Sequence, residues 1–518
     1  MDQEKPQGYG QHAAPRPAPE GGFGLFALKT INAGDEVAYT QNSFSAVLDT
    51  DKLADACSNC FGTRMLLVQA LEPPEWGTRD KDIIGLKACT GCRVVKYCDK
   101  ICQSQNWAAG HKAECALFKK LHPRILPINA RALLRIIFHR ASKKFEALQD
   151  TAMFNQLNTH LKEIAETNKE QHERILLSAK AVHEYSETKL DLDLIIDYCA
   201  KLEINGFTLT TPFYDRIGLC VQPYSAFANH SCDPNAVVGF DAGAVILRAV
   251  RNIEKDEQVY ISYVDSTNPF ETRQKELSER YFFQCKCSKC LLKGNTREDT
   301  FLPLPSSAPA LDIAVLKEAK KKALDLLATS KTPGISTSSA VVKIRSAMKV
   351  LRNTKVWPIT RQPYPLLRDE LIVALVENGA FYAALGQAAI RHLRVDPILY
   401  PQEQHPIRAT HAWALVTILS SLMRYQLGEH VRGEELYIRF NFNLAELNYD
   451  VGRSLCKIAK YQTPTIKEIF EAGFQKFRGA EDDGMQMARY WDRLETYVNK
   501  LLPVAEESED RQRSAVTR

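Results

Sequence analysis

The chain has 518 residues, of which 45% are hydrophobic and 25% are charged, a composition that is ordinary for a globular protein. Lysine and arginine outnumber aspartate and glutamate by only 67 to 62, so the net charge gives no reason to expect general binding to nucleic acid. These values exclude a mostly disordered chain and a collagen. No run of about 18 apolar residues is present, so no membrane-spanning helix is predicted, and the length predicts roughly three domains.

The first twenty residues contain four prolines and lack the apolar stretch of a secretory signal. We expect residues 1–20 to form a flexible arm. The protein is then expected in the cytoplasm, the nucleus or both, where disulfides are rare. Residues 21–56 are predicted to form short strands and turns, with a strand candidate at Leu25-Phe26-Ala27-Leu28.

Residues 57–115 hold seven cysteines and a histidine but little apolar periodicity, so this segment needs metal to hold it together. A two-residue spacer lets both ligands of a knuckle face one ion, and a three-residue spacer puts both ligands on one helical face. Eight ligands make two tetrahedral zinc sites, and the spacing allows either sequential or interleaved pairing. The four ligand pairs are Cys57 and Cys60, Cys89 and Cys92, Cys98 and Cys102, and His111 and Cys115.

A second cysteine cluster comprises Cys285, Cys287 and Cys290, with Cys232 as the obvious fourth ligand. Sites made only of thiolates are usually structural. The alternative is a catalytic zinc with three protein ligands and a bound water. The remaining cysteines are predicted to be small buried hydrophobes, namely Cys199, Cys220 and Cys456.

The rest of the chain is predicted to be largely helical. A helical insert is expected over 116–200, a mixed strand-containing segment over 201–268, a cysteine motif over 269–292 and a helical domain over 311–503. Residues 406–450 fit two amphipathic helices around Leu427-Gly428-Glu429, an arrangement that resembles a tetratricopeptide-type hairpin; an irregular helical bundle is the alternative. Residues 302–310 are predicted to be a linker and residues 504–518 a disordered tail.

The first cysteine cluster resembles a MYND zinc finger. The matching residues are Cys89-Thr-Gly-Cys92, Tyr97-Cys98, Cys102-Gln103, Trp107, His111 and Cys115. The resemblance implies interleaved pairing, although residues 61–88 form a longer spacer than the family usually has. One ion would then be held by Cys57, Cys60, Cys98 and Cys102, and the other by Cys89, Cys92, His111 and Cys115.

Three further motifs resemble SET-domain signatures and a post-SET zinc motif. They are Asn229-His-Ser-Cys-Asp-Pro-Asn235, Glu257-Gln-Val-Tyr-Ile-Ser-Tyr263, and Tyr281-Phe-Phe-Gln-Cys-x-Cys-x2-Cys290. With a finger inserted between an early Gly-x-Gly and these motifs, the chain is similar to the SET- and MYND-domain lysine methyltransferases. The resemblance covers about residues 20–292. It implies an α+β fold in which a β-rich SET domain is split by the finger and a helical insert and is followed by a helical C-terminal domain.

The resemblance also implies S-adenosylmethionine as methyl donor, a lysine of a histone or another protein as acceptor, and three zinc ions. Tyr263 is the expected catalytic tyrosine, and Tyr281 is expected to line the lysine channel. Phe283 is expected to pack against adenine. The remaining cofactor contacts are expected from Gly22, Phe23, Gly24, Asn205, Asn229 and His230.

Two rival functions remain open at this point. One is a non-catalytic adaptor whose finger binds proline-rich peptides or chromatin; Tyr263 favours an enzyme instead. The other is a nucleic-acid-binding zinc protein, suggested by basic residues near the finger, although a solvated charged face is the commoner explanation. We expect a monomer that is not bound to a membrane.

Overall fold

The computed structural model describes residues 12–41, 43–71, 85–141, 145–303, 312–426, 443–475 and 484–502. These residues form two compact units. The first comprises Met1–Val264, Gln274–Cys287 and Lys460–Ala472, and the second comprises Asp265–Arg273, Ser288–Ala459 and Gly473–Arg518. The predicted hairpin turn at 427–429, most of the predicted linker and the predicted tail lie outside the described residues.

The first unit carries all the strands of the described part of the chain, in small sheets. The strands are Ala13–Pro17 (β1), Phe23–Ala27 (β2), Glu36–Thr40 (β3), Ser45–Leu48 (β4), Lys87–Ala88 (β5), Lys96–Tyr97 (β6), Phe207–Thr210 (β7), Arg216–Val221 (β8), Asn229–His230 (β9), Ala236–Asp241 (β10), Ala244–Ala249 (β11) and Gln258–Ile261 (β12). The orders of the strands in the sheets are β1-β2-β12-β9, β10-β11-β3, β4-β8-β7 and β5-β6. Strands β7 to β12 lie within the segment over 201–268 that was predicted to contain strands.

Strand β1 lies within the segment predicted to be a flexible arm. It pairs antiparallel with β2, from Ala13 opposite Ala27 to Pro17 opposite Phe23. Its prolines are compatible with pairing because β1 is an edge strand, where a missing N–H costs no inner ladder bond. The prediction of a flexible arm is therefore wrong for residues 13–17, which form a sheet edge. Their pairing with β2 holds the Gly22–Gly24 segment in a hairpin.

The finger shares a hydrophobic core with the sheets of the first unit. Phe61 and Val95 pack in one cluster with Leu48, Phe240 and Val245. The longer spacer after the first knuckle begins with a helix, and its Thr63 hydroxyl accepts a hydrogen bond from the amide of residue 242 at 3.1 Å. Helices of this part are Thr63–Leu71, Lys100–Asn106, Lys112–Leu121, Ile128–Arg140, Phe145–Asn155, Leu161–Thr167, Lys169–Ser186, Leu192–Asn205 and Pro223–Ala226, with a π-helical turn at Trp107–His111.

Residues 460–472 are distant in sequence but belong to the first unit. The Asp241 carboxylate, at the end of β10, accepts hydrogen bonds from the Thr465 amide and hydroxyl, both at 2.7 Å. It thereby caps the helix that begins at Pro464 and satisfies a donor that the helix itself leaves unpaired. Arg248 also donates to the Gln462 carbonyl at 3.1 Å. Residues 460–472, from the last third of the chain, thus complete the β-rich unit.

The second unit is helical, as predicted, and many consecutive helices contact each other. Among the described helices, none is long and apolar enough to cross a membrane. The remaining helices of the chain, two of which cross the unit boundary, are Phe270–Tyr281, Ser288–Leu291, Ile313–Ser330, Thr337–Arg352, Tyr364–Glu377, Phe381–Ile390, Asp396–Leu399, Pro406–Gln426, Leu444–Ile458, Pro464–Gln475 and Gly484–Leu501.

Candidate active site and metal centres

The eight predicted finger ligands form two groups of four. Cys57 and Cys60 lie with Cys98 and Cys102, while the second group is made of Cys89, Cys92, His111 and Cys115. In each group the ligand atoms lie within 4.8 Å of one another, and all eight residues are buried. The structure brings these side chains together in the interleaved arrangement that the family resemblance implies. Strands β5 and β6 pair antiparallel on either side of the knuckle that carries Cys89 and Cys92.

The distances within these groups match a tetrahedral metal site. Two sulfurs bound at about 2.3 Å to a tetrahedral zinc lie about 3.8 Å apart. The Cys60–Cys98 and Cys89–Cys115 sulfur pairs are 3.6 and 3.8 Å apart, far beyond a disulfide bond of about 2.05 Å. Cys92 Sγ and His111 Nε2 are 3.6 Å apart, which is the edge expected for one sulfur and one nitrogen ligand. Both sets of donors fit zinc.

A buried ion pair supports the histidine ligand. His111 Nδ1 lies 3.5 Å from Glu114 Oε2, so Nε2 faces the other ligands. Glu114 also pairs with Arg135 at 2.7 Å, and Arg135 donates to the Ala46 carbonyl at 2.6 Å. Burial raises the pKa of Glu114, but Arg135 and His111 outweigh this effect and hold the pKa at about 2. An ionised carboxylate behind a metal-binding imidazole fixes its orientation, and here it also links the finger to β4.

Gly91 makes the second group sterically possible. A Cβ atom at this position would lie 2.7 Å from Cys115 Sγ, and no backbone strain is involved because Gly91 is outside the left-handed region.

We expect Gly91→Ala to weaken the second finger site, because a ligand sulfur cannot give way without distorting its tetrahedron. The variant should lose one zinc per chain at chelator concentrations that leave the wild type fully loaded, as measured by elemental analysis. Gly85→Ala is the matched control, since a Cβ there meets nothing within 4 Å. Equal zinc retention by Gly91→Ala and the control would contradict this account of the knuckle.

The third group contains Cys232 with Cys285, Cys287 and Cys290, again with ligand atoms within 4.8 Å. The predicted fourth ligand is thus present, so the group offers four thiolates rather than three and an open position. The Gln274 side chain exchanges two hydrogen bonds with the Cys285 backbone, at 2.8 and 3.0 Å. Such a closed sulfur site is typical of structural zinc. The catalytic-zinc alternative loses its basis, because its open position is filled.

Two of the other cysteines are inert thiols, as predicted. Cys199 and Cys220 are 0% and 1% exposed, and burial raises the pKa of each thiol to about 12.

Tyr263 lies at the centre of an aromatic cluster in the first unit. Its ring centroid is 4.9 Å from that of Tyr281 and 5.2 Å from that of His230, and the His230 ring is 5.8 Å from Phe283. The Tyr263 hydroxyl donates to the Ala228 carbonyl at 2.9 Å. Burial raises the pKa of Tyr263 and that of Tyr281, so both phenols stay protonated near neutral pH.

The turn after the helix at Phe270 separates three consecutive aromatic side chains. Phe282 has a φ of +61°, an uncommon conformation for a bulky residue. As a result Tyr281 contacts Tyr263, Phe283 contacts His230, and Phe282 points elsewhere, with its ring 5.3 Å from that of His160. This strained residue is a feature that the sequence did not reveal.

The glycine motif lies next to Asn229. The Asn229 amide donates to the Phe23 carbonyl at 3.1 Å and to Gln258 Oε1 at 2.8 Å. A Cβ on Gly24 would come within 2.4 Å of that same Gln258 oxygen, so any larger residue would have to displace the Gln258 side chain from Asn229. The predicted Gly22–Gly24 and Asn229 positions are therefore adjacent, and the Asn229 amide group already binds protein atoms.

Asn205 ends a helix, and its side-chain amide donates to the carbonyls of Lys201 and Asn158, both at 2.9 Å. This arrangement commits both amide hydrogens and leaves Oδ1 as the acceptor for any further contact.

Asn235 has a role that the sequence interpretation did not assign. It is fully buried. Its amide donates to the Gln258 carbonyl at 2.9 Å, and its Oδ1 accepts from the Tyr260 amide at 2.7 Å. Asn235 thus ties the Asn229–Asn235 loop to β12, the strand that leads to Tyr263. Its position at the end of the Asn229–Asn235 motif is the feature of the sequence that could have indicated this role.

Comparison with known proteins agrees with this geometry. Residues 22–264 match the SET domain family. "SET domain and MYND-type zinc finger protein 6" of Schizosaccharomyces pombe is 30% identical over 281 residues, 54% of this chain and 52% of that protein. Human "Histone-lysine N-methyltransferase SMYD3" is 31% identical over 219 residues, 41% of this chain and 51% of that protein. The chain thus spans about half the length of the curated relatives it matches.

The match to the SET domain family over residues 22–264 includes the cysteine-rich insert and a helical segment, and the chain is similar to SET- and MYND-domain proteins. The predicted α+β fold, with its helical C-terminal part, is confirmed.

Proposed function

We propose that the protein is a lysine methyltransferase that uses S-adenosylmethionine. The observation that carries the proposal is the environment of Tyr263 within the segment that matches a SET domain. Its hydroxyl donates a hydrogen bond to the Ala228 carbonyl, and its ring packs against Tyr281 and His230. Because its hydrogen is committed, the phenol oxygen presents lone pairs to a substrate. The relatives named histone-lysine and N-lysine methyltransferases support the same activity.

This setting suits an amine acceptor. A free lysine has a pKa of about 10.4, so supplying the neutral amine near pH 7 costs roughly 4.6 kcal/mol. Burial next to Tyr263 and Tyr281 lowers this cost, since an apolar site disfavours the ammonium form. An N–H of the neutral amine donates to the Tyr263 oxygen, which directs the nitrogen lone pair toward the methyl carbon. Tyr263 is not required as a base, consistent with its raised pKa.

The cofactor supplies an electrophilic methyl group on a sulfonium. When bound, it would give this methyl group to the lysine nitrogen as its carbon–sulfur bond breaks, and the proton of the lysine ammonium would leave to water. We place the cofactor against Gly22–Gly24, Asn229 and Phe283, with Asn205 Oδ1 as a further acceptor. His230 contributes through its backbone, because both of its ring nitrogens bind protein atoms.

The direct test is transfer of labelled methyl groups from S-adenosylmethionine to proteins of a cell lysate. The lysate is heated first to inactivate its own methyltransferases. We then expect incorporation with the purified chain and none when the chain is omitted. Histone tails and other proteins are both open as substrates, and we propose that the enzyme acts as a monomer in the cytoplasm, the nucleus or both.

We also propose that the three ligand groups each hold zinc. Elemental analysis of purified protein should give about three zinc ions per chain. One ion or none would contradict the metal assignment. A strong chelator should unfold the finger, because structural zinc contributes on the order of 10 kcal/mol to folding.

Peptide binding by the finger is a second candidate function, and it is compatible with catalysis. Ile101 and Trp107 are 63% and 40% exposed on the finger, so both offer apolar surface to a partner. Proline-rich segments dock on exposed aromatic surfaces. Binding of a labelled proline-rich peptide should be lost in Trp107→Ala while zinc content stays the same; unchanged binding would exclude this surface.

A further inference from the structure

His230 connects the third metal group to Tyr263. It is buried in β9, which runs parallel to β12, with His230 opposite Ile261. Its ring lies between two functional residues, with Nδ1 2.9 Å from the Tyr263 amide nitrogen and Nε2 3.2 Å from Cys232 Sγ.

The hydrogen bonds define one tautomer of this imidazole. A backbone amide can only donate, so Nδ1 must accept the Tyr263 N–H with its lone pair. In the neutral ring the hydrogen is then on Nε2, where it points at Cys232 Sγ. A cysteine that ligates zinc is a thiolate, and a thiolate accepts such a hydrogen bond well because it is charged.

The same short segment holds Tyr263 at both ends. The Tyr263 amide binds the His230 ring, and the Tyr263 hydroxyl binds the carbonyl of Ala228, two residues earlier. A shift of the 228–232 segment therefore moves the phenol oxygen as well. Cys232 anchors that segment to the third metal group.

We propose that His230 is a positioning residue that transmits the geometry of the Cys232 metal site to Tyr263. Nε2–H supports the thiolate, and Nδ1 sets the backbone of Tyr263. Only the effect of His230 on turnover rests on the proposed methyltransferase function. The support of the Cys232 thiolate and the placement of the Tyr263 backbone do not depend on catalysis.

Two substitutions test the hydrogen bonds of the two His230 ring nitrogens independently. In His230→Asn, the shorter side chain can place Oδ1 near the former Nδ1 and accept the Tyr263 amide, but it does not reach Cys232. In His230→Gln, the longer side chain can bring Nε2 to Cys232 and leaves the Tyr263 amide without its acceptor. Three readouts then apply: zinc transfer to 4-(2-pyridylazo)resorcinol, hydrogen exchange of the peptide that contains Tyr263, and methyl transfer. Cys287→Ser identifies which release phase belongs to the third metal group.

We expect His230→Asn to release that zinc about 10- to 100-fold faster with Tyr263 exchange close to wild type. His230→Gln should exchange the Tyr263 amide faster, keep its zinc, and lose more turnover than His230→Asn at saturating zinc and cofactor. The proposal is wrong if each variant changes both zinc release and hydrogen exchange at Tyr263. It is also wrong if zinc release and hydrogen exchange stay at wild-type values in both variants. If the wild type transfers no methyl group, the proposed function fails, while zinc release and exchange still decide the role of His230.

Discussion

Tyr263→Phe should lower the rate of methyl transfer by about 10² or more, close to 2.7 kcal/mol of transition-state stabilisation. The substitution keeps the ring that packs against Tyr281 and His230 and keeps the backbone amide bound to His230. It removes only the oxygen that orients the amine. Cofactor affinity, measured by calorimetry, should change little because the ring still fills its place.

Tyr224→Phe is the matched control for this substitution. Its hydroxyl also donates to a backbone carbonyl, that of Ala13, at 2.6 Å. Both variants therefore lose a hydroxyl–carbonyl hydrogen bond, worth about 1 kcal/mol of stability, but only Tyr263→Phe should lose turnover. Near-normal turnover in Tyr263→Phe would make Tyr263 a packing residue. Joint loss of folding and cofactor binding would show that its hydroxyl holds the fold.

Arg135→Met should destabilise the finger and its attachment to β4 by about 3–5 kcal/mol, because it leaves the Glu114 carboxylate buried without its main counter-charge. Glu114 is 1% exposed and is held by Arg135 at 2.7 Å. Urea unfolding of zinc-loaded protein, followed by circular dichroism, should show an earlier first transition than in the wild type.

The control for Arg135→Met is Arg16→Met, which breaks the exposed Arg16–Asp256 pair, whose side chains are 40% and 56% exposed. Exposed pairs contribute about 0–1 kcal/mol, so this variant should unfold near the wild-type midpoint. A double variant, Glu114→Gln with Arg135→Met, should regain part of the loss because no buried charge remains. Equal midpoints for Arg135→Met and Arg16→Met would contradict the buried-pair account.

The metal groups were predictable from the sequence because ligand spacing is a local property. The two- and three-residue spacers around Cys89 and Cys98 restrict which side chains can face one ion. Spacing did not decide the pairing, which depended on family resemblance. The support of His111 by Glu114 was not predictable. Glu114 is paired with Arg135, which lies 21 residues further along the chain, and no local pattern indicates that this charge is buried.

The fold of the β-rich unit was predictable where apolar patterns are strong, as in β10 to β12. Two features escaped prediction for different reasons: in the first, proline content masks a local hairpin, and the second depends on a long-range contact. Residues 13–17 have the proline content of a flexible arm but pair with β2. Residues 460–472 have the same helical composition as their neighbours, yet the Asp241 carboxylate ties them to the first unit. Pairing over more than 200 residues leaves no local trace in composition.

The proposal of Tyr263 as the catalytic tyrosine followed from its motif, but the hydrogen bonds of Tyr263 could not be predicted. No pattern around Tyr263 indicates that its hydroxyl is donated to Ala228 or that His230 uses both ring nitrogens on protein atoms. These contacts join β9, β12 and the loop that carries Cys232, and they arise only when the strands pair in parallel.

The most direct test of the account is the chemical identity of the methylated atom. Purified chain and labelled S-adenosylmethionine are incubated with a lysate that has been heated to inactivate its own methyltransferases and then depleted of small molecules. Modified peptides are sequenced by mass spectrometry alongside reactions with Tyr263→Phe and with no added chain. We predict label on lysine side-chain nitrogens with the wild type and at least about 10²-fold less with the variant. Label on arginine, on histidine or on no residue at all, or equal lysine labelling by both proteins, would contradict the account.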